Sequence, residues 1–91
     1  MTVYIVSYTL KQPGQDYQSL YDALEALNAH RAQESFWLVN VSDTAKVLHN
    51  HLKGVMDEND RLWVSELTTK NFYSGAKQGT NDWLENNPPS R

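Results

Sequence analysis

The chain has 91 residues and a mass of 10.5 kDa, which is the size of one domain with one modest hydrophobic core. Three Trp, five Tyr and two Phe argue against a disordered chain, and the absence of cysteine excludes disulfides, thiolate metal sites and cysteine nucleophiles. The formal charge of −3 excludes a wholly basic nucleic-acid-binding protein. The opening residues MTVYIV show neither a basic segment nor a cleavage site, and no apolar run is long enough to span a membrane, so we expect a cytoplasmic protein.

The first half of the chain predicts a strand, a helix and a hairpin. Residues 2–10 are β-branched and aromatic with few polar interruptions, which is typical of a central strand. Apolar residues at helical spacing then predict an amphipathic helix over 17–28, with Asp16 as its N-cap. Residues 35–41 predict a second strand, and a short strand at about 29–34 is expected to pair with it as a hairpin.

The second half predicts another helix and another strand. Ser42 or Asp43 is expected to cap a second amphipathic helix, which ends at Gly54. An acidic turn at 57–60 separates this helix from a strand over residues 61–67.

The order of these elements predicts an α+β fold of the ferredoxin-like βαββαβ type, with an antiparallel sheet and two helices on one face. Residues 1–67 form this core. Residues 68–91 are polar and form a C-terminal extension, with a short helix over 81–86, that we expect to pack on the core or on a dimer partner.

The other face of the sheet is open unless a partner covers it. Because successive strand residues point to opposite faces, both faces of this sheet are apolar. A homodimer interface is favoured over base stacking on the rings, since a monomer rarely leaves so many rings in water and the signature of the RNA-recognition fold is missing. The candidate interface residues are Tyr4, Trp37, Trp63, Phe72, Tyr73 and Trp83.

Metal sites and catalytic groups are not indicated by spacing. Two histidines of the second helix stand two positions apart and therefore point to different sides of it. The acids of the turn at 57–60 lack the pattern of a calcium loop, so we expect a solvated turn with Asp60 or Glu58 near Arg61. The sequence predicts no catalytic residue, no metal and no cofactor.

Four segments resemble a family of small bacterial and phage proteins described as SinR-like or as relatives of the Cas-two integration subunit, the second CRISPR-associated protein. The segments are VYIVSYTLKQPGQDY (Val3 to Tyr17), ESFWLVNVS (Glu34 to Ser42), DENDRLWV (Asp57 to Val64) and DWL (Asp82 to Leu84). They contain 35 of the 91 residues, in the same order as in the family. The resemblance implies a ferredoxin-like fold and a homodimer.

The sequence departs from that family at the end of the first strand. Relatives usually carry Tyr-Asp there, and in the nuclease-active ones two such aspartates across the dimer can hold a divalent metal. This chain has Tyr8-Thr9 instead. A threonine hydroxyl is a neutral, weak ligand for Mg²⁺, so we expect little or no metal-dependent nuclease activity.

Three functions are consistent with these observations. The favoured one is a non-catalytic dimeric domain that binds a protein or nucleic-acid partner, and the acidic charge fits a protein better than DNA. One alternative is a phage-encoded protein acting on host defence that binds a small nucleotide at a dimer cleft. The other is a metal-dependent nuclease with a relocated carboxylate such as Asp16. The candidates for ligand contact are Tyr8, Thr9, Lys11 and Arg31.

Overall fold

A computed structural model describes residues 1–11 and 17–91 of the chain. The elements found there, in chain order, are β1 (Thr2–Thr9), α1 (Gln18–Ala26), β2 (His30–Gln33), β3 (Phe36–Val41), α2 (Ala45–Lys53), β4 (Arg61–Glu66) and α3 (Thr80–Asn86). The strands form one antiparallel sheet in the order β2-β3-β1-β4. The predicted α+β class with an antiparallel sheet is confirmed. The arrangement is compatible with a ferredoxin-like fold, and α3 adds a third helix from the C-terminal extension.

Strand β1 lies in the middle of the sheet. It pairs with β3 on one side and β4 on the other, so that Tyr4 stands opposite both Val39 and Glu66. The hairpin of β2 and β3 also forms where the pattern predicted it. The predicted N-cap of α1, Asp16, lies outside the described residues.

The predicted N-cap of α2 is wrong by one or two residues. The cap is Thr44 and not Ser42 or Asp43, because the Thr44 side chain accepts a hydrogen bond from the Val47 backbone N–H at 3.2 Å. A cap must place its oxygen over the N–H group three residues later, and Thr44 has the extended backbone (φ −75°, ψ 163°) that permits this. Helix α2 does end at Gly54, as predicted, with a right-handed φ of −64°.

The main core lies between the sheet and the first two helices. Leu20 and Leu24 of α1, and Leu48 and Leu52 of α2, are four residues apart, so each pair forms one apolar stripe. Burial of one such leucine contributes about 1.5–3 kcal/mol. The buried members of this core are Tyr4, Val6, Tyr8, Leu20, Leu24, Trp37, Val39, Leu48 and Leu52.

A second, smaller core lies on the opposite face of the sheet, which we call the second face. Its buried residues are Val3, Ala32, Leu38 and Leu67, and Trp83 and Leu84 of α3 pack against them. Within this one chain, the C-terminal extension therefore covers part of the face that the sequence left open.

Polar contacts hold the extension against the β2 end of the sheet. The Lys77 N–H donates to the Ala32 carbonyl at 2.8 Å, and the indole N–H of Trp83 donates to the Asn28 carbonyl at 3.0 Å. His30 Nε2 lies 2.8 Å from the Thr80 hydroxyl, and burial lowers the pKa of this histidine, which favours the neutral ring. In residues 1–11 and 17–91, no helix combines the length and the apolar character needed to cross a membrane.

Candidate functional site

The extension leaves the rest of the second face accessible. Ile5 and Phe36 are half-buried there, and the Trp63 side chain is 71% exposed. Phe72, in the segment that precedes α3, is 98% exposed and borders the same face. We call Ile5, Phe36, Trp63 and Phe72 the open surface. Large apolar side chains exposed together in this way mark interaction sites more often than isolated ones do.

The register of the sheet explains how the rings are spaced on this surface. Ser7 of β1 stands opposite Phe36 of β3 on one side and opposite Trp63 of β4 on the other. The two rings are therefore two strand spacings apart, about 10 Å, with a small hydroxyl between them. This arrangement makes a shallow depression flanked by two aromatic walls.

An apolar groove of about 190 Å³ opens between the second face and the segment before α3. Its floor is apolar sheet surface, and its rim includes Phe72 and Tyr73. A dry cavity of about 150 Å³ lined by similar side chains is large enough to bind benzene. The groove can therefore accept one aromatic ring. Its apolar lining residues include Ile5, Phe36, Leu38, Leu67 and Leu84.

A second, shallower pocket of about 220 Å³ lies where β1 and β4 end together, and we call it the strand-end pocket. Thr9 stands opposite Arg61 in the sheet, and the other lining residues are Ser7, Tyr8, Leu62 and Trp63. Arg61 and Ser7 were not predicted as site residues, because their proximity to Thr9 depends on the pairing of β1 with β4. The pocket offers a guanidinium group, two hydroxyls and an exposed ring.

The predicted ligand-contact residues do not converge on one site. Tyr8 points into the main core, where its hydroxyl accepts a hydrogen bond from the indole N–H of Trp37 at 3.0 Å. Thr9 is exposed on the opposite face, because consecutive strand residues alternate. The Arg31 guanidinium lies 5.7 Å from the Trp37 ring centre and 5.1 Å from that of Tyr21. The structure thus brings the Tyr8 hydroxyl and Arg31 together through Trp37, while Tyr8 and Thr9 both line the strand-end pocket.

Tyr8 and Arg31 have structural contacts of their own. Burial raises the pKa of the Tyr8 phenol, so its hydroxyl stays protonated at neutral pH. The Arg31 side chain donates two hydrogen bonds to the Glu34 carbonyl, and its guanidinium lies 3.6 Å from the Glu34 carboxylate. These contacts give both side chains a structural role.

The Lys11 backbone N–H donates to the Asp60 carboxylate, which the sequence predicted to lie in a solvated turn. Asp60 is only 5% exposed, so that expectation is wrong. Its carboxylate accepts hydrogen bonds from the Lys11 N–H (2.8 Å), the Asp57 N–H (2.9 Å) and the Tyr17 hydroxyl (3.0 Å). Burial by itself would raise the pKa of Asp60, but these three donors and the charge of Lys53 outweigh it and lower the pKa. We interpret Asp60 as the group that joins the end of β1, the start of α1 and the α2–β4 turn.

Three of the six predicted interface residues pack against other residues of the same chain. Tyr4 and Trp37 are buried in the main core under the helices, and Trp83 packs on the second core. None of these three presents a free ring to a partner in this conformation. Trp63, Phe72 and Tyr73 are the candidates that lie at the surface, with Tyr73 37% exposed.

Within residues 1–11 and 17–91, no three His, Asp or Glu side chains are grouped so that they could hold a metal ion. Asp16, the candidate for a relocated carboxylate, lies outside these residues. No protein-family model matches the chain, and no solved structure matches it.

Proposed function

We propose that this chain is a non-catalytic binding domain of ferredoxin-like fold that works as a homodimer and meets its partner copy through the open surface. The observation that carries the proposal is the exposure of Trp63 and Phe72, at 71% and 98%, on a sheet face that the described residues cover only in part. A domain with one modest core gains little by leaving two such rings in water unless they contact something else.

The resemblance to SinR-like and Cas-two-like proteins supports the same proposal, because it implies this fold and a homodimer. Membership of that family is part of what we propose.

The chemistry of the open surface suits a second copy of the same chain. In a two-fold dimer the same patch occurs on both sides of the interface. Charged groups at the centre of such a patch would face like charges, whereas Ile5, Phe36, Trp63 and Phe72 carry no charge. The four side chains of the open surface therefore bring no like charges together at the centre of the interface.

Sedimentation velocity at roughly 1 to 100 µM tests the proposal, since protein interfaces of standard size have affinities of micromolar or tighter. We expect a species of twice 10.5 kDa that dissociates on dilution. Trp63→Gln should weaken the dimer at least tenfold without unfolding the chain, because the side chain is already exposed. The matched control is Val47→Gln, which changes a half-exposed residue of α2 on the other side of the sheet. A species of 10.5 kDa at every concentration would reject the homodimer.

The strand-end pocket favours a second candidate function, the binding of a nucleotide. Trp63 offers a face on which a base can stack, Arg61 offers a cation for a phosphate, and Thr9 offers a hydroxyl. Titration of the wild type with AMP and with a short single-stranded DNA should then quench tryptophan fluorescence. Arg61→Ala should remove most of that quenching, and no quenching by either probe at millimolar concentration would exclude this candidate.

A further inference from the structure

We propose that the dimer closes by reciprocal insertion, with the Phe72 ring of each copy entering the apolar groove of the other. This inference rests on the proposed homodimer and specifies which residues form its centre. The occupant of each groove is the Phe72 ring of a second copy of this chain.

The groove and the ring match in size and polarity. The groove measures about 190 Å³ and is lined mainly by apolar side chains, among them Ile5, Phe36 and Leu38. A volume above about 150 Å³ with this lining accommodates one benzene-sized ring. The Phe72 side chain ends in such a ring and is almost fully exposed.

The loop that carries Phe72 is held in a conformation that presents the ring outward. The Asn71 side chain donates to the Thr68 carbonyl at 2.7 Å on one side of Phe72. On the other side, the Tyr73 hydroxyl donates to the Asn81 side-chain carbonyl. Because Asn71 and Tyr73 are both hydrogen-bonded within the extension, Phe72 lies at the border of its own groove and does not fill it.

The positions of ring and groove lead to a closed dimer and not to a fibre. Both features lie on the same face of the chain, side by side. A two-fold axis placed between them brings each ring onto the groove of the other copy, so both contacts form at once. A ring and a groove on different faces would instead join copies head to tail into open chains.

The area available is close to what a stable dimer requires. One aromatic side chain buries about 150–250 Å² when it is fully covered. At the exposures found for Phe72, Trp63 and Tyr73, these rings would remove roughly 400 Å² per copy from water, or about 800 Å² for the pair. A specific complex buries at least about 1,000 Å² in total, and the remainder would come from the half-buried apolar residues around the groove. A micromolar dimer is the expected outcome.

The first test is sedimentation of the Phe72→Ala variant, with Val47→Ala as the matched control. Loss of two central rings per dimer should raise the dissociation constant at least about 100-fold, while the control should not change it. Because Phe72 is exposed in the single chain, the circular dichroism spectrum of the variant should match that of the wild type. The two thermal midpoints should agree only at dilutions at which the wild type is itself monomeric, because dimerisation stabilises the folded state. A wild-type dimer that Phe72→Ala does not weaken would overturn reciprocal insertion and leave the proposed homodimer in place. A wild type that is monomeric throughout would overturn both.

The second test uses the absence of native cysteine, so that introduced thiols report only on the chosen pair. Ala76 lines the groove, and Ala76→Cys places a thiol there. An oxidised mixture of Phe72→Cys and Ala76→Cys chains should form a mixed disulfide faster than Ala76→Cys joins to itself, although the mixed pair has lost one of its two Phe72 rings. Joining of Ala76→Cys to itself at the same rate as in the mixture would contradict the geometry, because each residue 76 would face residue 72 of the other copy and not residue 76.

Discussion

Replacement of Asp60 by asparagine should destabilise this protein more than any other conservative change in its acidic turn. The side chain is 5% exposed and its two oxygens have different partners. Oδ1 accepts from the Lys11 N–H at 2.8 Å and from the Tyr17 hydroxyl at 3.0 Å, and Oδ2 accepts from the Asp57 N–H at 2.9 Å. Asparagine keeps one acceptor oxygen and replaces the other with an NH₂ group.

The magnitude follows from these contacts. Two hydrogen bonds to a charged acceptor become bonds to a neutral one, and the third places a donor against the Asp57 N–H. Hydrogen bonds to charged groups contribute about 1.5–3 kcal/mol, and a buried donor without a partner costs about 1–3 kcal/mol. We therefore expect Asp60→Asn to lower the free energy of unfolding by about 2–4 kcal/mol, a substantial part of the roughly 5–14 kcal/mol expected for a chain of this length.

The effect should depend on pH in a defined direction. Because the folded pKa of Asp60 is lowered from its ordinary value of 3.8, the ionised carboxylate stabilises the folded state above that pH. This stabilisation is lost as the pH falls below 3.8 and through the lowered folded pKa. The difference between wild type and Asp60→Asn should be constant above about pH 5 and should shrink in more acidic solution.

Urea unfolding followed by tryptophan fluorescence measures the loss of unfolding free energy in Asp60→Asn and its dependence on pH. The matched control is Asp43→Asn, which changes an exposed aspartate and should change the free energy of unfolding by less than about 0.5 kcal/mol. At pH 7 a loss of about 3 kcal/mol corresponds to a fall in melting temperature of roughly 12–24 °C. Two results would refute the assignment of Asp60 as a hydrogen-bonded structural anion. One is an Asp60→Asn variant that is as stable as the control at pH 7. The other is a difference in unfolding free energy between wild type and Asp60→Asn that grows as the pH falls.

Three further predictions concern the core, the chemistry and the extension. Trp37→Phe removes the N–H that donates to the buried Tyr8 hydroxyl, so urea unfolding should show a loss of about 1–2 kcal/mol, and an unchanged midpoint would contradict this hydrogen bond. The wild type should not cleave DNA or RNA with Mg²⁺ or Mn²⁺, whereas Thr9→Asp should gain cleavage if a dimer then supplies two carboxylates to one metal; cleavage by the wild type that EDTA abolishes would reverse this expectation. Trp83→Ala should lower the free energy of unfolding by about 3 kcal/mol, because the ring packs on the second core and its N–H donates to the Asn28 carbonyl. The same variant should bind more of a hydrophobic dye, and dye binding equal to the wild type would show that the extension stays in place without the ring.

Much of the fold could be predicted because its signals are local. The aromatic and β-branched run along 35–41 predicts a strand, and leucines four apart at Leu48 and Leu52 predict a helix. Each element formed where its pattern indicated. Even so, the residue that caps α2 is Thr44 and not the predicted Ser42 or Asp43. Three adjacent residues can all cap a helix, and only the backbone path into the first turn selects one of them.

The candidate site was less predictable because it is made by residues far apart in the chain. Strand alternation places the neighbours Tyr8 and Thr9 on opposite faces, although both were predicted as ligand contacts, and it does not say which face the helices cover. That choice buried Tyr4 and Trp37 and left Trp63 exposed.

The sequence by itself determined the number and order of the core elements and the apolar character of both sheet faces. Only the tertiary structure decided that Asp60 is buried, that Arg61 stands beside Thr9, and that Phe72 stands exposed at the rim of an apolar groove. The physical reason is that periodicity reports the environment of a residue along its own helix or strand. Strand order, register and the path of the extension bring together groups about 50 or more residues apart, and no local pattern specifies those contacts.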